Sequence, residues 1–400
     1  MSALMPLQEA LERILATAIP PVKTEQRHLL DALGAVLGED VVSGIDVPMD
    51  DNSAMDGYAL RCEDLPGPLP ISQRIAAGSV GEPLQPGTAA RIFTGAPVPP
   101  GADAVVMQEN CSVEDGVLTL QGTAEPAQNI RLRGQDITAG ALVLSAGRRL
   151  RPQDLGLLAS VGIAAVKVYR PLKVAVLSTG DELVEPGSAD LRGGQLYNSN
   201  RFTVAGLLAR LGVEFVDGGI VPDDPQATAD ALLQAAESAD CVITTGGVSV
   251  GEEDHVKAQV ERLGRLDLWK LAIKPGKPLA FGAIGDTPFV GLPGNPTSVF
   301  ATFCLVARPF LLKLQGASEC SIPEMTVKAG FNVSKPGTRQ DHLRVSLESG
   351  SKGLVAKRFA NQSSGVLSSV SHSDALAVIP PGVVVKEGDE VKVLLLDLLA

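Results

Sequence analysis

Cys241-Val242-Ile243-Thr244-Thr245-Gly246-Gly247-Val248-Ser249-Val250-Gly251-Glu252-Glu253-Asp254 is the stretch from which the rest of the chain can be read. An apolar, β-branched run passes into hydroxyls and paired glycines, and acids follow where a helix should begin. A parallel strand delivers a ligand-binding loop to the carboxyl edge of a sheet in this way. Gly246 and Gly247 let the backbone turn sharply and present its amides to an anion. Glu252, Glu253 and Asp254 would repel a bare phosphate, so the combination calls for a divalent cation between carboxylate and phosphate. The stretch predicts an anionic, phosphorylated ligand handled with a metal.

Outward from this loop, strands and helices alternate over about 173–315. Strands are expected at 173–177, 213–216 and 241–244, and helices at 199–211, 224–237, 254–263 and, long and apolar, 296–313. Such alternation argues a parallel sheet covered on both faces. Three further loops repeat the logic of the first. Ser178-Thr179-Gly180-Asp181-Glu182 lies beyond one strand and Asp223-Asp224-Pro225 beyond another. In Gly291-Leu292-Pro293-Gly294-Asn295-Pro296-Thr297-Ser298, Asn295 suits an N-cap and Pro296 the first helical position, which turns free amides toward the crevice.

Other textures flank this region. Leu7, Leu11, Ile14, Leu15 and Ala18 mark an amphipathic helix over 5–18, stopped by Pro20-Pro21. Short Val/Ile runs between Gly and Pro turns predict an all-β module over 46–145, and the same texture returns from 321 to 400. The resulting division is an α/β domain from 1–25 and 173–320, a helical or mixed spacer from 26–45 and 146–172, the inserted β module, and a C-terminal β domain.

The 400 residues are 45% hydrophobic and carry a net charge of −12, which argues against nucleic-acid and anionic-membrane partners. No run of 18 apolar residues occurs, and Glu9 and Glu12 precede any basic residue, so the expected location is the cytoplasm. Five scattered cysteines and four scattered histidines suggest neither disulfides nor zinc, and place the chemistry elsewhere. Lys270, Lys274 and Lys277 supply local positive charge. On one extended strand Lys270 and Lys274 would share a face about 13 Å apart, able to bracket a long ligand. The chain has no G-x-G pair, and Gly276-Lys277-Pro278 cannot complete a P-loop, so neither a dinucleotide fingerprint nor a P-loop NTPase is indicated.

Seven motifs in order carry a family resemblance. They are the run from Asp51 to Arg61 (DNSAMDGYALR), Ile92–Pro97 (IFTGAP), Gly134–Ile137 (GQDI), Ser178–Leu183 (STGDEL), the TTGGVSVGEEDHV loop, Lys274–Pro278 (KPGKP) and Gly291–Pro296 (GLPGNP). Together they resemble the molybdopterin molybdenumtransferases, the family of the MoeA proteins and the gephyrin E domain. The resemblance implies an elongated homodimer with a molybdopterin-binding α/β domain, an inserted β module, a spacer and a C-terminal β-barrel-like domain. Its active cleft would combine the α/β domain of one subunit with the C-terminal domain of the other.

The implied reaction inserts molybdate into the dithiolene of adenylylated molybdopterin and releases AMP, with a divalent ion, Mg2+ by default, at the pyrophosphate. Carried over motif by motif, Glu182, Asp223 and Asp254 would hold the metal or orient the nucleotide. Thr245, Gly246, Gly247 and Ser249 would donate hydrogen bonds, and Lys270 and Lys274 would neutralise phosphate or molybdate. Pro293, Asn295 and Pro296 would shape the anion pocket. Asp56, Thr94 and Asp136 would reach a neighbouring subunit's cleft, and Arg344 and Ser364 would face molybdate. Two alternatives are a molybdopterin adenylyltransferase, which lacks the two β domains, and a non-catalytic scaffold. Other enzymes of molybdenum cofactor assembly are possible partners.

Overall fold

The computed structural model describes residues 4–20, 23–248, 255–350 and 353–399. Its centre is a six-stranded sheet in the order Glu214–Val221, Lys173–Thr179, Cys241–Thr245, Thr287–Leu292, Pro278–Ile284, Gly264–Lys270. The first four strands are parallel, and all five residues of Cys241–Thr245 are buried. Continuous apolar runs are required because both faces are covered. Val174, Val176 and Ile243 pack into one core with the helices Leu7–Ala16 and Ser199–Leu211 and the helical stretch from Pro296 to Leu314. Ala175, Leu177 and Val242 point the other way, toward Leu232 of Pro225–Ser238 and Val256 and Val260 of His255–Leu263.

The far side of this sheet departs from the all-parallel expectation. Pro278–Ile284 runs antiparallel to Thr287–Leu292 across the Gly285-Asp286 turn, and Gly264–Lys270 runs antiparallel to Pro278–Ile284. The expected single strand through Lys270 and Lys274 is corrected as well. The sheet strand ends at Lys270, whose carbonyl accepts from the Met5 amide (2.8 Å), while Ala272 N donates to Met5 O (2.7 Å). Ile273–Lys274 then pairs with Gln340 and Asp341 in the C-terminal domain. Both lysines are exposed, but they belong to two different sheets.

The expected long helix is Pro296–Thr302 and Arg308–Leu314 joined through a wider turn at Phe303–Ala307. Pro309 cannot donate within a regular helix, and the wider turn next to it accommodates the loss. The stretch is apolar and long enough to cross a membrane, yet 94% of it is buried in the protein core. A helix apolar all round fits such a position.

Thr24–His28 and Ala165–Tyr169 form an antiparallel pair that packs with the helix Pro152–Ser160. Beyond them lies a second six-stranded sheet, in the order Ala104–Met107, Gly57–Leu60, Ala89–Ile92, Leu69–Ile75, Val117–Leu120, Cys111–Glu114. In the C-terminal region Gln340–Gly350, Gly353–Arg358, Glu324–Ala329, Glu390–Leu395 and Ala375–Ile379 follow one another, and the last pairs back onto the first. This closes a small barrel around Val345, Ala356, Ala377 and Val393.

Candidate active site

The carboxyl ends of the four parallel strands open into a cleft of about 860 Å³. Thr179, Gly180 and Glu182 come from the first strand's loop, Asp223 from the edge strand's, Thr245, Gly246 and Gly247 from the central strand's, and Pro293, Asn295 and Pro296 from the fourth. Gly365 and Leu367 of this same chain's C-terminal domain complete the wall. Eight of the expected site residues therefore share one cavity: Glu182, Asp223, Thr245, Gly246, Gly247, Pro293, Asn295 and Pro296. Ser249 and Asp254 lie outside the described residues.

Local hydrogen bonds set the shape of the cleft. Thr245 Oγ1 donates to Ser178 Oγ (3.1 Å), which lies 3.4 Å from Asn198 Oδ1. The same Asn198 oxygen caps the helix Ser199–Leu211 by accepting from Arg201 N. Asp181 and Asp223 lock their loops together: Asp181 N donates to Asp223 Oδ2 (3.3 Å) and Asp223 N to Asp181 Oδ1 (3.1 Å). Gly180 has φ +137°, and a Cβ there would lie 2.3 Å from a Glu182 carboxylate oxygen. The positive φ favours glycine, and a Cβ would push the exposed end of the Glu182 side chain aside.

Charge in the cleft is left open. Among the described residues neither Glu182 nor Asp223 has a cationic partner, and no Lys or Arg lines the cavity. Arg201, close by, is already paired with Glu185 and Asp217. Lys274 does not line the cleft; its ammonium sits 3.5 Å from Asp341. Lys270 also lies off the wall, while Pro278, next to the exposed Lys277, is part of it.

Several expected roles are revised. Asn295 occupies the N-cap position, but its side chain makes no capping bond and is exposed; only its carbonyl accepts from Ser298 N and Val299 N. Arg344 is 2% exposed and does not face the cleft. Its Nε donates to Ser369 Oγ (3.1 Å) and its guanidinium also to the carbonyls of Ser363 and His342. Burial of the guanidinium works against its charge, and its bonds to Ser363 and Ser369 make Arg344 a brace for the 359–373 segment. Ser364 lies one residue from the wall, and its carbonyl accepts from Thr297 N and Oγ1. This bond fastens the C-terminal loop to the start of the helix at Pro296.

Asp56, Thr94 and Asp136 are not part of this cavity. Asp56 Oδ1 accepts from Thr94 N and Thr94 Oγ1, both at 2.8 Å, and the amide bond first and the hydroxyl second hold its carboxyl below the usual range. Asp136 borders a shallow hollow of about 250 Å³ with Pro48, Arg131 and Gln135.

Among the described residues no three His, Cys, Asp or Glu side chains cluster as a closed metal site. Glu182 and Asp223 on one wall nevertheless provide hard oxygen donors. Such a pair suits an ion held by one or two carboxylates with its remaining positions filled by ligand phosphate and water, as Mg2+ prefers. Sequence reasoning missed Asn198, Ser199, Asn200 and Tyr197, which also line the cleft. Tyr197-Asn198-Ser199-Asn200 before a helix is a capping signal, and it could have drawn attention to them.

Fold and site together define a class: an α/β protein with a polar cleft at the switch-point edge of its sheet and β domains added at either side. Three family models match in order: the MoeA N-terminal region (domain I and II) over residues 5–162, "Probable molybdopterin binding domain" over 175–313, and the MoeA C-terminal region (domain IV) over 326–396. A molybdopterin molybdenumtransferase of Haemophilus influenzae is 46% identical over 348 residues, 85% of each chain. One from a Nostoc species is 36% identical over 98% of this chain and 94% of its own. The crystal structure of the molybdopterin biosynthesis MoeA protein of Pyrococcus horikoshii OT3 superposes with a TM-score of 0.85 at 32% identity, over 98% of this chain and all of that one. The chain belongs to the molybdopterin molybdenumtransferase family.

Proposed function

We propose that this chain is a molybdopterin molybdenumtransferase: an enzyme of molybdenum cofactor biosynthesis that takes adenylylated molybdopterin and molybdate as substrates and releases AMP. The observation that carries this reading is the convergence of four strand-end loops on one cleft, with Glu182 and Asp223 lacking a cationic partner among the described residues, in a chain that matches the family along its length. Five dispersed cysteines offer no thiolate cluster for molybdenum, and the dithiolene of the substrate supplies the sulfur instead. A Mg2+ ion held by Glu182 and Asp223, with Asp254 as a third expected ligand, would neutralise phosphate charge and polarise the phosphorus.

The protein's own groups do the positioning. The Gly247 amide meets the ligand's phosphate, while the Gly246 amide is held by the Leu292 carbonyl (3.1 Å) and Gly246 shapes the turn. The Pro293–Pro296 loop borders the anion pocket, Ser249 is a further expected donor, and Lys270 and Lys274 contribute positive charge from outside the cleft wall. Asp56, Thr94 and Asp136 act on the cleft of the other subunit in a homodimer, while Arg344 braces the C-terminal segment whose Ser364 carbonyl is fastened to Thr297 beside the cleft. The enzyme works in the cytoplasm and passes its product to other cofactor-assembly enzymes. An adenylyltransferase reading is not favoured, since the likeness extends through both β domains.

The test is direct. Purified protein incubated with adenylylated molybdopterin, molybdate and Mg2+ should release AMP and yield molybdenum-loaded cofactor. AMP release that ignores molybdate, or adenylylation of free molybdopterin from ATP, would point to the other enzyme.

A further inference from the structure

Asn200 stands at the second position of the helix Ser199–Leu211 and lines the cleft. Its Nδ2 donates to the carbonyl oxygen of Gly294 at 2.7 Å, a bond between residues 94 apart in sequence. Gly294 is the middle of the Pro293–Pro296 wall. Its carbonyl can accept this bond only if the peptide following it keeps one orientation. That orientation fixes where the Asn295 amide and the exposed Asn295 side chain point. Gly246 lies directly opposite: its Cα is 3.9 Å from where a Gly294 Cβ would be. The Gly246 amide, donating to the Leu292 carbonyl (3.1 Å), ties the two strand ends together, and the Asn200 bond orients the Gly294 peptide just beyond that tie.

The other end of the same amide is unusual. Asn200 Oδ1 is buried and has no hydrogen-bond partner among the described residues. Leaving a buried acceptor unpaired costs about 1–3 kcal/mol. An asparagine serving stability alone would pair both ends or give way to an apolar residue of similar size. Asn198, two residues earlier, shows the structural alternative, with its Oδ1 accepting from Arg201 N to cap the helix. Asn200 adds no cap. It keeps a donor on the Gly294 carbonyl while its acceptor goes unsatisfied, and unpaired polar groups of this kind gather where geometry matters more than stability.

From this pairing we propose that Asn200 is a positioning residue of the cleft: its Nδ2 holds the Gly294 carbonyl, and through it the Pro293–Pro296 loop, in the shape that grips the nucleotide end of the ligand. The role rests on the molybdenumtransferase reading and deepens it. It is a donor's role, so the element that matters is the N–H and not the size of the side chain.

The experiment compares wild type, Asn200→Ala and Asn200→Asp in the full chain, using AMP with Mg2+ as calorimetric probe, thermal melting, and AMP release from adenylylated molybdopterin. Asparagine to aspartate keeps the shape but replaces the donor with an acceptor facing the Gly294 carbonyl. Asn200→Ala should melt at or near the wild-type temperature, since bond and unpaired oxygen leave together, while AMP binding weakens about tenfold and KM rises more than kcat falls. Asn200→Asp should lose at least as much affinity. Wild-type affinity in Asn200→Asp would overturn the donor role, as would a loss in Asn200→Ala that merely tracks a lower melting temperature. If the wild type itself neither binds AMP nor releases it, the molybdenumtransferase reading fails instead, and the two failures are told apart in one experiment.

Discussion

Two carboxylates in this molecule, Glu182 in the α/β cleft and Asp154 in the first turn of the Pro152–Ser160 helix, show opposite uses of the same group. Asp154 is 3% exposed and closed on every side: Arg148 and Arg151 reach it at 3.0 and 3.1 Å, and the Arg151 amide adds a third donor at 2.9 Å. Burial opposes its ionisation, but the bonds from Arg151 and Arg148 prevail and hold its carboxyl down to about 2. Glu182 is exposed, has no cationic partner among the described residues, and is given its room by a glycine at φ +137°. The difference separates charge that is balanced within the fold from charge left to be balanced by a ligand. Asp154 has its counterions within the fold, whereas Glu182 lines the cleft without one among the described residues.

Substitution should expose this contrast. Glu182→Ala is expected to lower the rate of AMP release by about 10²–10³, the scale of losing one electrostatic contact to the reacting centre. Its stability in urea should stay within about 0.5 kcal/mol of wild type, because nothing in the fold depends on the side chain. Asp154→Ala should do the reverse, costing about 2–4 kcal/mol of unfolding free energy with kcat retained in the folded fraction. A catalytic defect in Asp154→Ala without loss of stability would break the comparison.

Gly180→Ala tests the glycine between these extremes. Its φ and the 2.3 Å approach to the Glu182 carboxylate predict a loss of about 1–3 kcal/mol, or a displaced Glu182 with activity reduced in step. The smallest effect is that of pH. The Asp154 carboxyl is lower in the folded state than its ordinary value near 3.8, so its stabilising contribution is complete above that value and is lost as pH falls toward about 2. Thermal melts of wild type and Asp154→Asn should therefore converge on acidification across this window. A gap that stays constant would assign the effect to packing.

The sequence made the cleft readable because each of its loops is local. A strand, a hydroxyl and glycine turn, and an acid before a helix all fall within a dozen residues, as from Cys241 onward. What escaped depends on residues far apart. Lys270 and Lys274 fall in different sheets because Met5, some 265 residues earlier, bridges the chain between them. The antiparallel edge at Pro278–Ile284 was hidden because a buried apolar run carries no sign of strand direction. Arg344 was read as a molybdate contact, but its acceptors Ser363 and Ser369 come together with it only when the C-terminal barrel closes. Asn200 went unnoticed for the same reason, since its partner Gly294 lies on another loop.

The most direct measurement is a crystal structure of the full chain soaked with AMP and Mg2+. The expected result is a phosphate within hydrogen-bonding distance of the Gly247 amide, an ion against Glu182 and Asp223, and the nucleotide bounded by Pro293–Pro296. Nucleotide found instead in the groove between the helix Leu7–Ala16 and the C-terminal barrel, with the strand-end cleft empty at saturating AMP, would contradict it.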